Sequence, residues 1–185
     1  SVITRQNLEY AEPLMEFSQK NSLPIIFQAI NTRDYGLHPR NIFTQDVCPS
    51  QGENLRVFRL IADRKRRGFP VVNSYGYLNA LAKGETSYTC HYKKLTLRVE
   101  TNGDVLDCTE GPALPSKVEA GGEGIIGNVK EKDLGDIIAS PQYERFLNNT
   151  GYCSVCMDAG TLESSYLWEL RPPSLLNGLR VYKDL

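Results

Sequence analysis

Apolar residues along the chain follow two different periods, and the change falls near its middle. In the first part they recur at helical spacing around one short, nearly continuous apolar run. Val2-Ile3-Thr4 reads as the end of a strand. Leu8, Ala11, Leu14, Met15 and Ser18 then share a helical face. Asn7 serves as the cap, and a regular helix from near Glu12 leaves Pro13 in its first turn. Pro24 to Ile30 is almost all apolar, as suits a buried parallel strand. The polar stretch 31–50 reads as a loop. Ser50 and Glu53 form a capping-box pair ahead of Leu55, Phe58 and Ile61. That helix closes on Arg64-Lys65-Arg66-Arg67-Gly68, where last-turn cations complement the helix dipole and Gly68 is the natural cap. Ser74 caps a further helix through Leu78 and Leu81, ended by Gly84.

From Leu95 the period changes to two. Leu95 to Glu100 alternates apolar and polar, as a half-buried strand does. Asn102-Gly103 predicts a two-residue hairpin turn, with Gly103 supplying a positive φ, and Val105-Leu106-Asp107 returns on the partner strand. After a loop rich in Gly and Pro (112–124), Ile125 to Val129 reads as a third strand. Leu134, Ile137 and Ile138 mark a helical turn. Ser140-Pro141 opens a helix carrying Tyr143, Phe146 and Leu147, with Gly151 ending it. The tail 161–185 holds an apolar helical patch of Leu162, Tyr166, Leu167 and Leu170 before Pro172-Pro173; Tyr166, Leu167 and Trp168 read as packing residues. The pattern predicts an α/β segment up to about Ala82 and an α+β module from Lys83 onward.

Composition narrows the function. The chain has 185 residues, 41% hydrophobic and 23% charged, with 21 Lys plus Arg against 22 Asp plus Glu and a net charge of -1. No global electrostatic case for nucleic acid or an anionic membrane follows. The apolar runs are too short to span a bilayer, and the first residues lack the apolar core of a secretory leader. Five cysteines is an odd number for a secreted disulfide framework, so a reduced, cytoplasmic setting with metal ligation is expected. Without a leader, the glycosylation pattern Asn148-Asn149-Thr150 is a chance match.

Four of those cysteines carry the chemistry. Cys90 and Cys108 stand in a C-x12-G-x4-C run around the hairpin, and Cys153-x-x-Cys156 follows after a long gap. A hairpin can present its two flanking thiols on one side, and a C-x2-C turn lets two more grip one centre. Four thiolates suit an iron–sulfur cluster or a structural zinc ion. Cys48 has no partner at ligand spacing. His91 adjoins Cys90, but adjacent side chains on an extended segment point to opposite faces. His38 has no visible partner in its polar loop. Asp104 and Asp107 make no catalytic carboxylate pair, and Gly121-Gly122-Glu123-Gly124 lacks the context of a phosphate loop. No catalytic residue is expected in this chain.

The cysteine run, the words Leu97-Arg98-Val99-Glu100-Thr101-Asn102-Gly103 and Val105-Leu106-Asp107-Cys108, and the later Gly127-Asn128-Val129 with Leu134 and Ile137 resemble the twitch domain of radical S-adenosylmethionine enzymes. The twitch domain is the shortened relative of the SPASM domain. With no cysteine after Cys156, the resemblance implies one auxiliary [4Fe–4S] cluster held by Cys90, Cys108, Cys153 and Cys156. Val2 to Asn7 resembles the end of the fifth strand of that family's partial (β/α)6 barrel. Ile25 to Gln28 resembles the sixth strand, and Glu53 to Arg67 the last barrel helix. The family's C-x3-C-x2-C loop is absent, so the chain is expected to be the C-terminal portion of such an enzyme and not to cleave S-adenosylmethionine alone.

The implied fold class is α/β. The last units of a partial TIM-like barrel (1–82) would be followed by a small twitch domain with a β-hairpin (83–160) and a C-terminal tail (161–185). Arg5, at a barrel strand's end, is placed for a contact with the S-adenosylmethionine carboxylate. The cluster is expected to relay or accept an electron, or to shape the substrate site. The implied partners are the missing N-terminal barrel half, a peptide or small-molecule substrate, and a reductase or flavodoxin-type electron donor. S-adenosylmethionine and a second [4Fe–4S] cluster would belong to the full-length parent. The alternative from another class is a non-catalytic, zinc-stabilised module that binds a peptide or protein.

Overall fold

A strand end, a helix and a second strand begin the chain, each for local reasons. The extended Val2–Ile3 (β1) runs into a 3-10 helix, Arg5–Tyr10, and then α1, Ala11–Lys20. Thr4 is the cap of that first turn. Asn7 acts from the third position instead, its Oδ1 accepting from the Thr4 amide at 2.7 Å. The regular helix begins at Ala11, just before the expected Glu12, with Pro13 in its first turn where a missing N–H costs nothing. Met15, Ala11 and Ser18 turn inward, and the Ser18 hydroxyl donates to the Leu23 carbonyl as the chain reverses. Gln28–Ala29 (β2) then pairs parallel with β1, and Ile25 bridges parallel to Val71. In this computed structural model, residues 1–30, 47–85, 88–106, 125–148 and 157–183 are described, and they divide into two units.

The first unit holds 1–30, 47–85, Tyr88 and 157–183. Its strands are not buried on both faces, as the apolar run suggested. Ile3, Phe27, Ala29 and Val71 are covered, whereas Val2 and Ile26 are each 47% exposed. The covered side rests on the helices. α2, Gln51–Arg66, is capped reciprocally, with the Glu53 amide donating to Ser50 Oγ and the Ser50 amide to Glu53 Oε2. α3, Tyr75–Lys83, starts at Ser74 and ends on Gly84 in the left-handed region. α2 and α3 pack through Phe58, Ile61, Tyr77 and Leu78, with the Phe58 and Tyr77 rings edge to face. Fully burying a side chain such as Phe58 is worth roughly 1.5–3 kcal/mol.

The sequence's tail is helical and belongs to this first unit. α6, Ala159–Trp168, and α7, Pro172–Lys183, pack on α3. A Cβ at Gly76 would lie 2.9 Å from Ser174 Oγ, so glycine is what allows that close approach. Leu162 and Tyr166 are buried as expected, but Leu167 and Trp168 are exposed.

The second unit holds 89–106 and 125–148. A 3-10 turn, Tyr92–Lys94, precedes β3, Arg98–Val99, which is shorter than the alternation suggested. β3, β4 (Asp104–Leu106) and β5 (Ile125–Asn128) form an antiparallel meander. The hairpin loop is longer than the two-residue turn expected. Val99 pairs with Val105, the Glu100 amide donates to the Asp104 carbonyl, and Thr101, Asn102 and Gly103 make the loop. Gly103 still supplies the positive φ, at 94°. Asn128 Nδ2 and Asn102 Nδ2 both donate to the Asp104 carboxylate, at 2.9 and 2.6 Å, which ties the hairpin tip to β5. α4, Leu134–Ile138, and α5, Pro141–Asn148, cover one face. The core is small: Val105, Ile126 and Ile137, flanked by Leu97, Tyr143 and Phe146. Leu95 and Val99, on the same phase of the alternation as Leu97, stay exposed. Among the described residues, no helix is long and apolar enough to cross a membrane.

Candidate metal centre

Of the four expected thiol ligands, Cys90 is described and half-buried; Cys108, Cys153 and Cys156 lie outside the described residues. Asp107, His38, Gly151 and Gly121 to Gly124 lie outside them as well. Among the described residues, no group of three or more His, Cys, Asp and Glu side chains could hold a metal ion. What the structure adds is the frame around Cys90. Three residues on, Lys93 sits in the 3-10 turn and its ammonium donates to the Phe146 carbonyl at 2.7 Å. That carbonyl is in the last turn of α5, where helix carbonyls lack intrahelical donors. Cys108 follows Leu106 by two positions in sequence, and Leu106 is held between Arg98 of β3 and Ile125 of β5. His91 is half-buried beside Cys90.

Met157, directly after Cys156 in sequence, is well anchored. The Tyr77 hydroxyl donates to the Met157 carbonyl at 3.1 Å, and Asp158 caps α6 by accepting from the Thr161 amide at 2.8 Å. Burial pushes the Tyr77 hydroxyl well above the usual phenol range, so it stays protonated and remains a donor.

Arg5 stands just past the C-terminal end of β1, 41% exposed at its side chain, with Nε 3.7 Å from Glu53 Oε2. Its amide donates to the Val47 carbonyl, next to the half-buried Cys48. Hydrogen bonds from the Ser50 side chain and backbone, and then the Arg5 charge, hold the Glu53 carboxyl below its ordinary range. Asp104 is occupied with the hairpin asparagines.

A polar network at the carboxyl end of the parallel strands was not foreseen. Asn73, fully buried, exchanges two hydrogen bonds with Phe27: the Phe27 amide donates to Asn73 Oδ1 at 2.7 Å, and Nδ2 donates to the Phe27 carbonyl at 2.9 Å. The Tyr77 hydroxyl accepts from the Ala29 amide. Side chains thus continue the strand ladder where the backbone has turned away into α3. Glu163 of α6 accepts from the Ser74 amide at 3.0 Å, and burial raises its carboxyl above the ordinary range. Lys65, 5% exposed, donates to the Val71 carbonyl and to Asn177. The basic run had suggested only last-turn cations that complement the helix dipole. Apart from Lys65 and Val71, six positions apart, these partners lie 46 to 112 positions apart, and no local pattern announces such pairs.

Chemically, the donor set of four cysteines fits a thiolate-bound centre. Residues 90–158 match the family model of SPASM, an iron–sulfur cluster-binding domain. No curated protein and no solved structure matches the chain. The match opens on Cys90 itself and closes on Asp158, two residues past Cys156, so it takes in every expected ligand. Over residues 90–158 the chain is thus similar to an iron–sulfur cluster-binding domain, SPASM.

Proposed function

We propose that this chain is the C-terminal portion of a radical S-adenosylmethionine enzyme, and that Cys90, Cys108, Cys153 and Cys156 together hold one auxiliary [4Fe–4S] cluster. The observation that carries the reading is the SPASM match over residues 90–158, which takes in all four cysteines. The first unit supports it: parallel strands are backed by helices on one face and leave Val2 and Ile26 bare on the other, as a barrel segment would.

When bound, such a cluster supplies one-electron transfer at a potential set by hydrogen bonds to its sulfurs and by solvent exposure. The four thiolates fill its coordination and leave no iron open to substrate. Their role is to hold an electron relay or acceptor, or a wall of the substrate pocket, fed by a reductase or flavodoxin-type donor. The substrate would be a peptide or a small molecule. A reducing cytoplasm suits thiolate ligation. Arg5, at the carboxyl end of a parallel strand, would meet the carboxylate of S-adenosylmethionine by exchanging Glu53 for it.

Metal and sulfide analysis after anaerobic purification tests the reading. About four irons and four sulfides per chain are expected. One zinc and no sulfide would instead establish the zinc-stabilised binding module. Cys108→Ala should abolish cluster assembly, and unchanged iron content in that variant would overturn the ligand assignment.

A further inference from the structure

Lys93 joins the segment that carries Cys90 to α5. It sits in the 3-10 turn Tyr92–Lys94, which is closed by the Leu95 amide and the Thr96 hydroxyl, both donating to the Tyr92 carbonyl. From there its ammonium reaches the Phe146 carbonyl at 2.7 Å and lies 5.1 Å from the centroid of the same residue's ring. Both interactions fall on one residue, so the ammonium is held by the carbonyl and the ring of Phe146 together. Phe146 is itself fixed: its ring lies 5.8 Å from that of Tyr143, and both pack on Val105, Ile126 and Ile137. In sequence, Cys90 lies three residues before Lys93, and Cys153 lies seven residues after Phe146. Three residues span at most about 11 Å of chain.

We propose that Lys93 is a positioning residue for the cluster, clamping the Cys90 segment to the helix end from which the chain runs on to Cys153. The inference rests on the four-cysteine cluster reading. Lys93 touches neither substrate nor cluster in this role. It fixes where one ligand starts relative to the segment that leads to another. A cation at that place also satisfies a helix-end carbonyl and complements the negative end of the helix dipole, which explains why a lysine serves better than a neutral donor.

The test uses the full chain, assembled anaerobically with iron and sulfide, and follows iron release to a chelator together with the electron paramagnetic resonance spectrum of the reduced cluster. Lys93→Met keeps an apolar stem over Phe146 and loses the donor. It should release iron about 10- to 100-fold faster than the parent, the range typical for loss of an outer-sphere partner. Its reduced spectrum should broaden as the ligand geometry loosens. Lys93→Arg, which restores a charged donor, should return both readouts most of the way. If Lys93→Met folds, loads and releases iron at the parental rate with an unchanged spectrum, the clamp is refuted. So is it if Lys93→Arg behaves as badly as Lys93→Met, because the effect would then be one of packing. A parent chain that takes up neither iron nor sulfide would instead sink the cluster reading itself.

Discussion

The two units solve the problem of burial in opposite ways. Among the described residues, the first has parallel strands, the five helices α1, α2, α3, α6 and α7, and a core that runs from Ile3 and Met15 through Phe58 and Tyr77 to Leu162. Its polar groups at depth are matched pair by pair: Asn73 to Phe27, Lys65 to Val71 and Asn177, Glu163 to Ser74. The second unit shows, among the described residues, a three-stranded meander, two short helices and a small buried cluster of Val105, Ile126 and Ile137. A core that small supplies little stability of its own, and domains of this size commonly lean on a metal. On the cluster reading proposed above, the first unit would hold itself together and the second would depend on the bound cluster.

The strongest way to break this contrast is to strip the iron. With a chelator under reducing conditions, amides in the β4–β5 ladder around Val105 and Gly127 should lose most of their hydrogen-exchange protection. Those of α2 and α3 around Ile61 and Leu78 should keep theirs. Equal loss in both units would erase the distinction. A smaller effect should come from the first unit's core. Phe58→Ala should lower its stability by about 3–5 kcal/mol in denaturant unfolding while iron content stays at the parental level. A fall in both would show that the units share one core.

The smallest effect concerns Glu163. Its folded carboxyl titrates above the ordinary value of 4.5, chiefly because it is buried, with Lys65 and the hydrogen bonds of Ser74 and Asn73 acting against that. Below the ordinary value the group is protonated folded or unfolded and costs nothing. As pH rises through the folded value, the unfolded chain has already lost its proton, so stability falls and stays lower. Glu163→Gln keeps an acceptor for the Ser74 amide and should remove that fall. The difference between variant and parent should therefore grow in the variant's favour as pH rises from the ordinary carboxyl value through the folded one. Parallel stability curves over that range would show the carboxylate is not strained by its burial.

What could be read in the sequence was local. Ser50 with Glu53, Ser74 with Gly84, and Gly103 in its hairpin each act within a few residues, so composition betrays them. Even there the loop Thr101–Gly103 came out one residue longer, because Glu100 pairs with Asp104 and pushes the turn outward. The Ile26 face was misjudged, since a continuous apolar run does not say whether both sides of a strand are covered. The iron–sulfur-binding domain match was foreshadowed for a different reason: ligand chemistry restricts residue type so tightly that cysteine spacing carries information. Lys93 was not. Its partner is a backbone carbonyl 53 positions away, and any residue type provides one.

The basic cluster that ends α2 shows how far a tally of ionic residues can mislead. Arg64 is spent on Glu12 and the face of Phe69, Arg67 on Asp63, and Lys65 has been withdrawn from water altogether. Four consecutive cations in print thus amount, at the surface, to a broken and largely neutralised patch. A polyanion sliding along this helix would meet alternating signs instead of a continuous positive track.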